Sequence, residues 1–320
     1  TAGPELAYGQ GLLISAGGTA TLQRARVHGN RSAGVDVRHQ GSSLYASELL
    51  VDGTMAREMD YGYGFGVELG AGGRLVLERS RLSGNLAGGM YLTDEGADAV
   101  VRGSLIDAGG ATTLGYGLGI FVLSHARLTV IGCRLQSNRL IALLAEGAAG
   151  QVRVVGTSIS GTESFKLSQV ARNGQGIVLR QTSERMYLVA SRLVRNRMAG
   201  VFVANAALTV DGCVIADTMP ATGQEVGRDL EFSDGMVANG AIDLEISHSL
   251  VAEHPRAGLL LNDSINVKLR YTAVTRGLFG LVSQGSSAVD ALGLVLMDNQ
   301  QNHAGDAGLT VPEAPSLVDP

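Results

Sequence analysis

Apolar and polar positions alternate along this chain in short runs, and the runs come in groups of three. In residues 119–139, GIFVLSHARLTVIGCRLQSNR, the runs are Ile120-Phe121-Val122, Leu128-Thr129-Val130 and Cys133-Arg134-Leu135. Small-residue corners separate them and Asn138 closes the unit. Very similar text stands at 66–86, 176–197 and 200–218. Alternation with period two predicts short strands that send one set of side chains inward and the next outward. A single unit of this size cannot bury its own apolar side, so the copies must stack.

Unit starts fall at Gly11, Gly34, Gly66, Gly89, Gly119, Ala142, Gly176, Gly200, Gly235, Gly258 and Gly280, which predicts about eleven coils. Short coils end in Asn30, Asn85, Asn138 or Asn196, and the coils between them end near Thr54, Gly109, Thr162 or Thr218. The latter run into long loops, 54–64, 109–117, 162–174 and 218–235, which rejoin through junctions such as YGFG at 63–66 and YGLG at 116–119. The four asparagines lie 55, 53 and 58 positions apart, so the repeat is a two-coil unit of about 55 residues. Asn at these corners suits a left-handed backbone, which it tolerates. The expected organisation is one domain over 1–307, followed by a tail over 308–320 marked by Pro312, Pro315 and Pro320. Residues 1–10 read as the end of a loop with no cap before the first coil, which implies an upstream part.

Strands of three to five residues recurring in matched order every 22–35 residues fit coils stacked by parallel pairing, about 4.8 Å apart. Aligned on the third run, the inward column reads Ala25, Leu49, Ser80, Ser104, Cys133, Thr157, Ser191, Cys213, Ser249, Thr272, Leu294. Beside it Arg26, Arg81, Arg134 and Arg192 point outward from alternate coils, with Leu50, Leu105, Ser158 and Val214 between. On these repeats the chain resembles the right-handed parallel β-helix (pectate-lyase-like) superfamily over residues 8 to about 305. Its DGT…YGFG junctions and GNR corners also resemble Gly-rich β-helix repeats of large secreted myxobacterial proteins. The resemblance implies an all-β solenoid, secreted or at the cell surface.

Composition agrees with a narrow stacked core. Of 320 residues 45 are glycine, about double the usual share of roughly 7%, and Trp is absent. The net charge of −5 argues against a nucleic-acid partner. No apolar run approaches the roughly 20 residues of a membrane span. Cys133 and Cys213 fall in one slot three coils apart, about 14 Å at the strand spacing. A disulfide reaches about 7 Å between Cα atoms, so two free buried thiols are expected.

The outward column of the first strand carries the candidate chemistry: Leu13, Asp36, Glu68, Tyr91, Phe121, Leu144, Val178, Phe202, Val237, Leu260, Val282. From Tyr91 onward it is an apolar ladder on the outside of a tube, which water should not meet unattended. Either the four long loops fold back over it, or it lines a groove for a glycan or protein. The binding face would then include Tyr91, Phe121, Phe202, Tyr61, Tyr63, Tyr116, Lys166 and Arg228. Asp36 and Glu68 are neighbours in the column, with Arg38 beside them, and about 5 Å between carboxylates suits a retaining glycosidase. Glu225, Asp229, Glu231 and Asp234 are the candidates for a cation, without the spacing of an EF-hand or RTX loop. The six histidines are scattered and read as surface or turn residues. Pectate-lyase chemistry would need an Arg or Lys base beside an acidic calcium cluster, and the chain offers only Lys166 and Lys268, on different parts of the tube. No cofactor is implied. The leading expectation is a non-catalytic scaffold or recognition solenoid; the alternative is a polysaccharide lyase or glycosidase working in the same groove.

Overall fold

A computed structural model describes residues 9–56, 64–107, 117–167, 170–172, 174–182, 184–220, 232–306 and 308–312, with backbone alone at 165–167 and 170–172. Each coil carries three strands, Leu12–Ile14, Thr19–Gln23 and Arg26–His28 in the first. Equivalent strands of successive coils pair in parallel into sheets of 12, 11 and 11 strands, the extra strand being Gln301–Gly305. The chain is a right-handed parallel β-helix of eleven full coils. One antiparallel hairpin, Phe165–Leu167 with Val170–Arg172, stands apart from the three sheets.

The interior is filled by Val, Leu, Ile, Ala, Met and both cysteines, with no aromatic side chain among the described residues. Aliphatic side chains from the three sheets thus stack coil upon coil to fill it. Glycine starts every coil except the one at Ala142, because the backbones of neighbouring coils come close there. A Cβ on Gly34 would lie 2.6 Å from the carbonyl oxygen of Gly66, and one on Gly176 equally close to that of Gly200. Backbone therefore approaches backbone where any side chain would intrude.

The corner between the second and third sheets is built the same way in every coil. A residue at positive φ, among them Arg79, Gly103, Gly132 and Gly156, turns the chain, and the next residue points inward. That residue belongs to the inward column read from the sequence, which is small and able to hydrogen-bond in most coils. Ser80 Oγ donates to Glu78 O at 2.7 Å and accepts from Leu49 N at 3.0 Å. Thr157 Oγ1 likewise donates to Val155 O and accepts from Cys133 N. Cys213 Sγ takes the same place between Asp211 O and Ser191 N. A ladder of hydrogen bonds thus runs along the axis, satisfying backbone groups that the turn removes from the sheets. Both cysteines are buried and free, as expected, and burial pushes their thiols up.

The corner between the third and first sheets corrects one expectation. The asparagines are not the left-handed residues; those are their predecessors Gly29, Gly84, Ser137 and Arg195. Asn85 and Asn196 are buried, and each side chain bridges two coils. Asn196 Nδ2 donates to Ile159 O while its Oδ1 accepts from Thr162 N. An amide carries both a donor and an acceptor, which Thr does not supply at that reach. His254, expected at the surface, is the buried counterpart in a later coil and bonds through Nε2 to Ile215 O at 3.1 Å.

Candidate functional site

The outward column of the first sheet has the register read from the sequence. Leu13 pairs with Asp36, Asp36 with Glu68, Glu68 with Tyr91 and Tyr91 with Phe121. It continues through Leu144, Val178, Phe202, Val237, Leu260 and Val282, then reaches Ala304.

At its first rungs the column borders an open cleft of about 430 Å³, lined by Gln10, Ser32, Asp36, Arg38, Glu68, Tyr91, Thr93 and Asp94. Asp36 is only 3% exposed although it points away from the core. Its Oδ2 accepts from Gln10 Nε2 at 2.9 Å and from Arg38 Nη2. Arg38 is two residues along the same strand, on the same face, so alternation alone sets up this pair. Glu68 stands one rung on, about 4.8 Å along the axis, and is half-buried. Asp94 closes the rim, accepting from Ala71 N through Oδ2.

Tyr91 is the boundary. Its ring stacks on Phe65 with centroids 5.2 Å apart and 20° between planes, and meets Phe121 on the other side at 5.5 Å. Gly88 makes this possible, since a Cβ there would lie 2.8 Å from the Phe65 ring.

Beyond Tyr91 the column is closed. Phe121 is 7% exposed and Phe202 wholly buried, so neither presents a ring face to a ligand; of the two alternatives read from the sequence, a covered ladder or a groove, this stretch is covered. With Leu118, Leu144, Val178, Val237, Leu260 and Val282 they form a second apolar cluster outside the tube. The middles of the four long loops lie outside the described residues, as do Tyr61, Tyr63, Tyr116, Arg228, Glu225, Asp229 and Glu231. Lys166 belongs to the hairpin, its side chain outside the description. A cover that the sequence did not suggest comes from residues 308–312, expected to be tail: Leu309 and Val311 pack on the cluster.

Asp234, a cation candidate by sequence, is instead wholly buried beneath this cover. Its Oδ1 accepts from Arg256 Nε at 2.8 Å and from Ala257 N at 3.1 Å, and Arg256 Nη2 binds Oδ2. Burial pushes the Asp234 carboxyl up, with Arg256 and the Ala257 N–H acting the other way. Both of its oxygens are thus taken by donors of the scaffold.

The Arg row is exposed on the third sheet in the expected register. Two members have partners the sequence reading missed: Arg26 binds Asp52 at 2.7 Å and Arg81 binds Asp107 at 2.8 Å. In both cases the acid is two residues past the Leu opposite the Arg, a diagonal spacing that could have been counted. Gln10, Thr93 and Asp94 were missed in the cleft because they sit in a junction and a turn, outside any column.

Residues 6–159 match the family model described as right handed beta helix region. No curated protein matches the chain. Among solved structures, the periplasmic alginate epimerase AlgG is similar at 13% identity and a TM-score of 0.58, over 93% of this chain and 76% of that one. A single-residue mutant of that epimerase gives 12% identity and 0.59 over the same shares. Pectate lyase Pel9A follows at 13% and 0.49, over 87% of this chain and 70% of that one.

Proposed function

We propose that this β-helix is a non-catalytic recognition solenoid of a secreted or cell-surface protein, and that it holds a saccharide in the cleft between Gln10 and Asp94. The observation that carries this reading is the break in the outward column. The twelve rungs of a continuous sheet are alike in backbone, and the polar ones gather in a cleft beside the half-buried ring of Tyr91. Carboxylates, an amide and a guanidinium match the hydroxyls of a pyranose, and the half-buried Tyr91 ring, held between Phe65 and Phe121, borders them. Asp36 is committed to Gln10 and Arg38, which suits a fixed acceptor better than a nucleophile.

The second reading, a lyase or glycosidase acting here, draws on Asp36 and Glu68 standing on adjacent rungs at the cleft wall. It also draws on a structural neighbour that acts on alginate. A glycan array followed by reducing-end and NMR assays on each hit separates the two. Binding with unchanged saccharide is the expected result. New reducing ends, or an altered sugar, would replace recognition with catalysis. Absence of any hit, or hits unaffected by Arg38→Ala and Tyr91→Ala, would remove the cleft from either role.

A further inference from the structure

The covered half of the first sheet holds residues 308–312 in part by three hydrogen bonds that do not depend on what those residues are. The Gln284 side chain bonds Leu309 twice: Nε2 donates to Leu309 O at 3.0 Å and Oε1 accepts from Leu309 N at 2.8 Å. Arg256 Nη1 donates to Thr310 O at 2.8 Å. All three bonds end on backbone atoms. One side-chain amide therefore offers the donor and acceptor that a neighbouring strand would offer.

Gly308 and Thr310 are exposed, Leu309 and Val311 are half-buried against the outer apolar cluster, and Pro312 is buried. The hooks are held by the scaffold and not by the segment. Arg256 is fixed by Asp234 on one side and lies 4.7 Å over the Phe232 ring. Gln284 ends the strand Phe279–Gln284 in register with Asn262. The segment joins no sheet.

We infer that this face, between Arg256 and Gln284, is a groove for an extended peptide with apolar side chains at alternate positions, and that residues 308–312 fill it in cis. The inference is independent of the saccharide cleft, which lies at the opposite end of the column. A peptide of the same pattern on another chain is the partner it fits, and must displace the resident segment to enter.

The test keeps the full chain and releases the segment with Leu309→Asp and Val311→Asp. A fluorescein-labelled peptide Gly-Leu-Thr-Val-Pro is then titrated by polarisation. The double variant should bind it at least ten-fold tighter than the unaltered chain, and adding Gln284→Ala should abolish that binding. A double variant that melts like the parent and takes up no peptide overturns the proposal. If it does not fold, hydrogen exchange in the unaltered chain decides. Exchange at the Leu309 amide ahead of Leu260 means a detachable segment; exchange in step with Leu260 means a fixed part of the core and sinks the idea.

Discussion

The outward column of the first sheet is polar and open from Asp36 to Tyr91, and apolar and closed from Phe121 to Ala304. Its inward neighbours do not differ in kind: Val35, Val67 and Met90 line the core under the first stretch, Val201, Met236 and Leu259 under the second. Register, strand length and corners are also shared. The repeating β-helix backbone therefore does not by itself decide what its outer face becomes. Leu309 and Val311 of the end segment rest on the apolar stretch. Where none of the described residues does so, carboxylates and a guanidinium stand in a cleft.

The strongest way to break the comparison is to damage what both stretches share. Cys133→Arg puts a charge into the buried small-residue column, without a partner and without room. It should abolish the folded state by circular dichroism, whereas Arg134→Ala, one residue on and outside, should melt as the parent does. Equal tolerance would mean that inside and outside are wrongly assigned.

The next largest effect separates the stretches. Phe202→Ala removes a fully buried ring and should cost about 3–5 kcal/mol in chemical denaturation. Tyr91→Ala should cost less than that, since its ring is only half-buried, and should show mainly as weaker saccharide binding. Similar losses at both sites would erase the distinction between a covered and an open half.

Acid offers a graded version. Burial holds the His254 imidazole neutral, with its pKa lowered from 6.5 to about 4. As pH falls below about 6.5 the unfolded chain takes up a proton that the folded one refuses until about 4. Stability that is complete above pH 6.5 should therefore drain across that window by roughly 3 kcal/mol. His254→Asn should flatten the dependence, because Asn299 makes the same bond in its own coil, Nδ2 to Val274 O at 3.0 Å. A variant with the parental pH profile would assign the acid sensitivity elsewhere.

The parts of this fold that repeat were legible before any coordinates. Gly34 and Gly66, Ser80 and Ser104, Asp36 and Glu68 occupy columns because each coil meets the same constraint at the same place, and repetition makes a constraint visible. Asn85 was found but misread: the corner needs its amide bridge to the coil before, and leaves the left-handed turn to Gly84. Nothing periodic announces Gln10, Asp94, Leu309 or the Arg256–Asp234 pair. Each results from one contact between a junction, turn or end segment and a sheet, made once. The same limit applies to His254, whose burial depends on sharing a corner with asparagines it does not resemble.

The axial hydrogen bonds at the corners, together with those of the three sheets, give the tube a definite mechanical character. Tension between its ends reaches every coil interface in series, while within an interface all three strand ladders and the corner bonds carry it side by side. Rupture force is then set by the weakest interface and not by the number of coils. Each added coil extends the reach by about 4.8 Å without making the rod easier to pull apart.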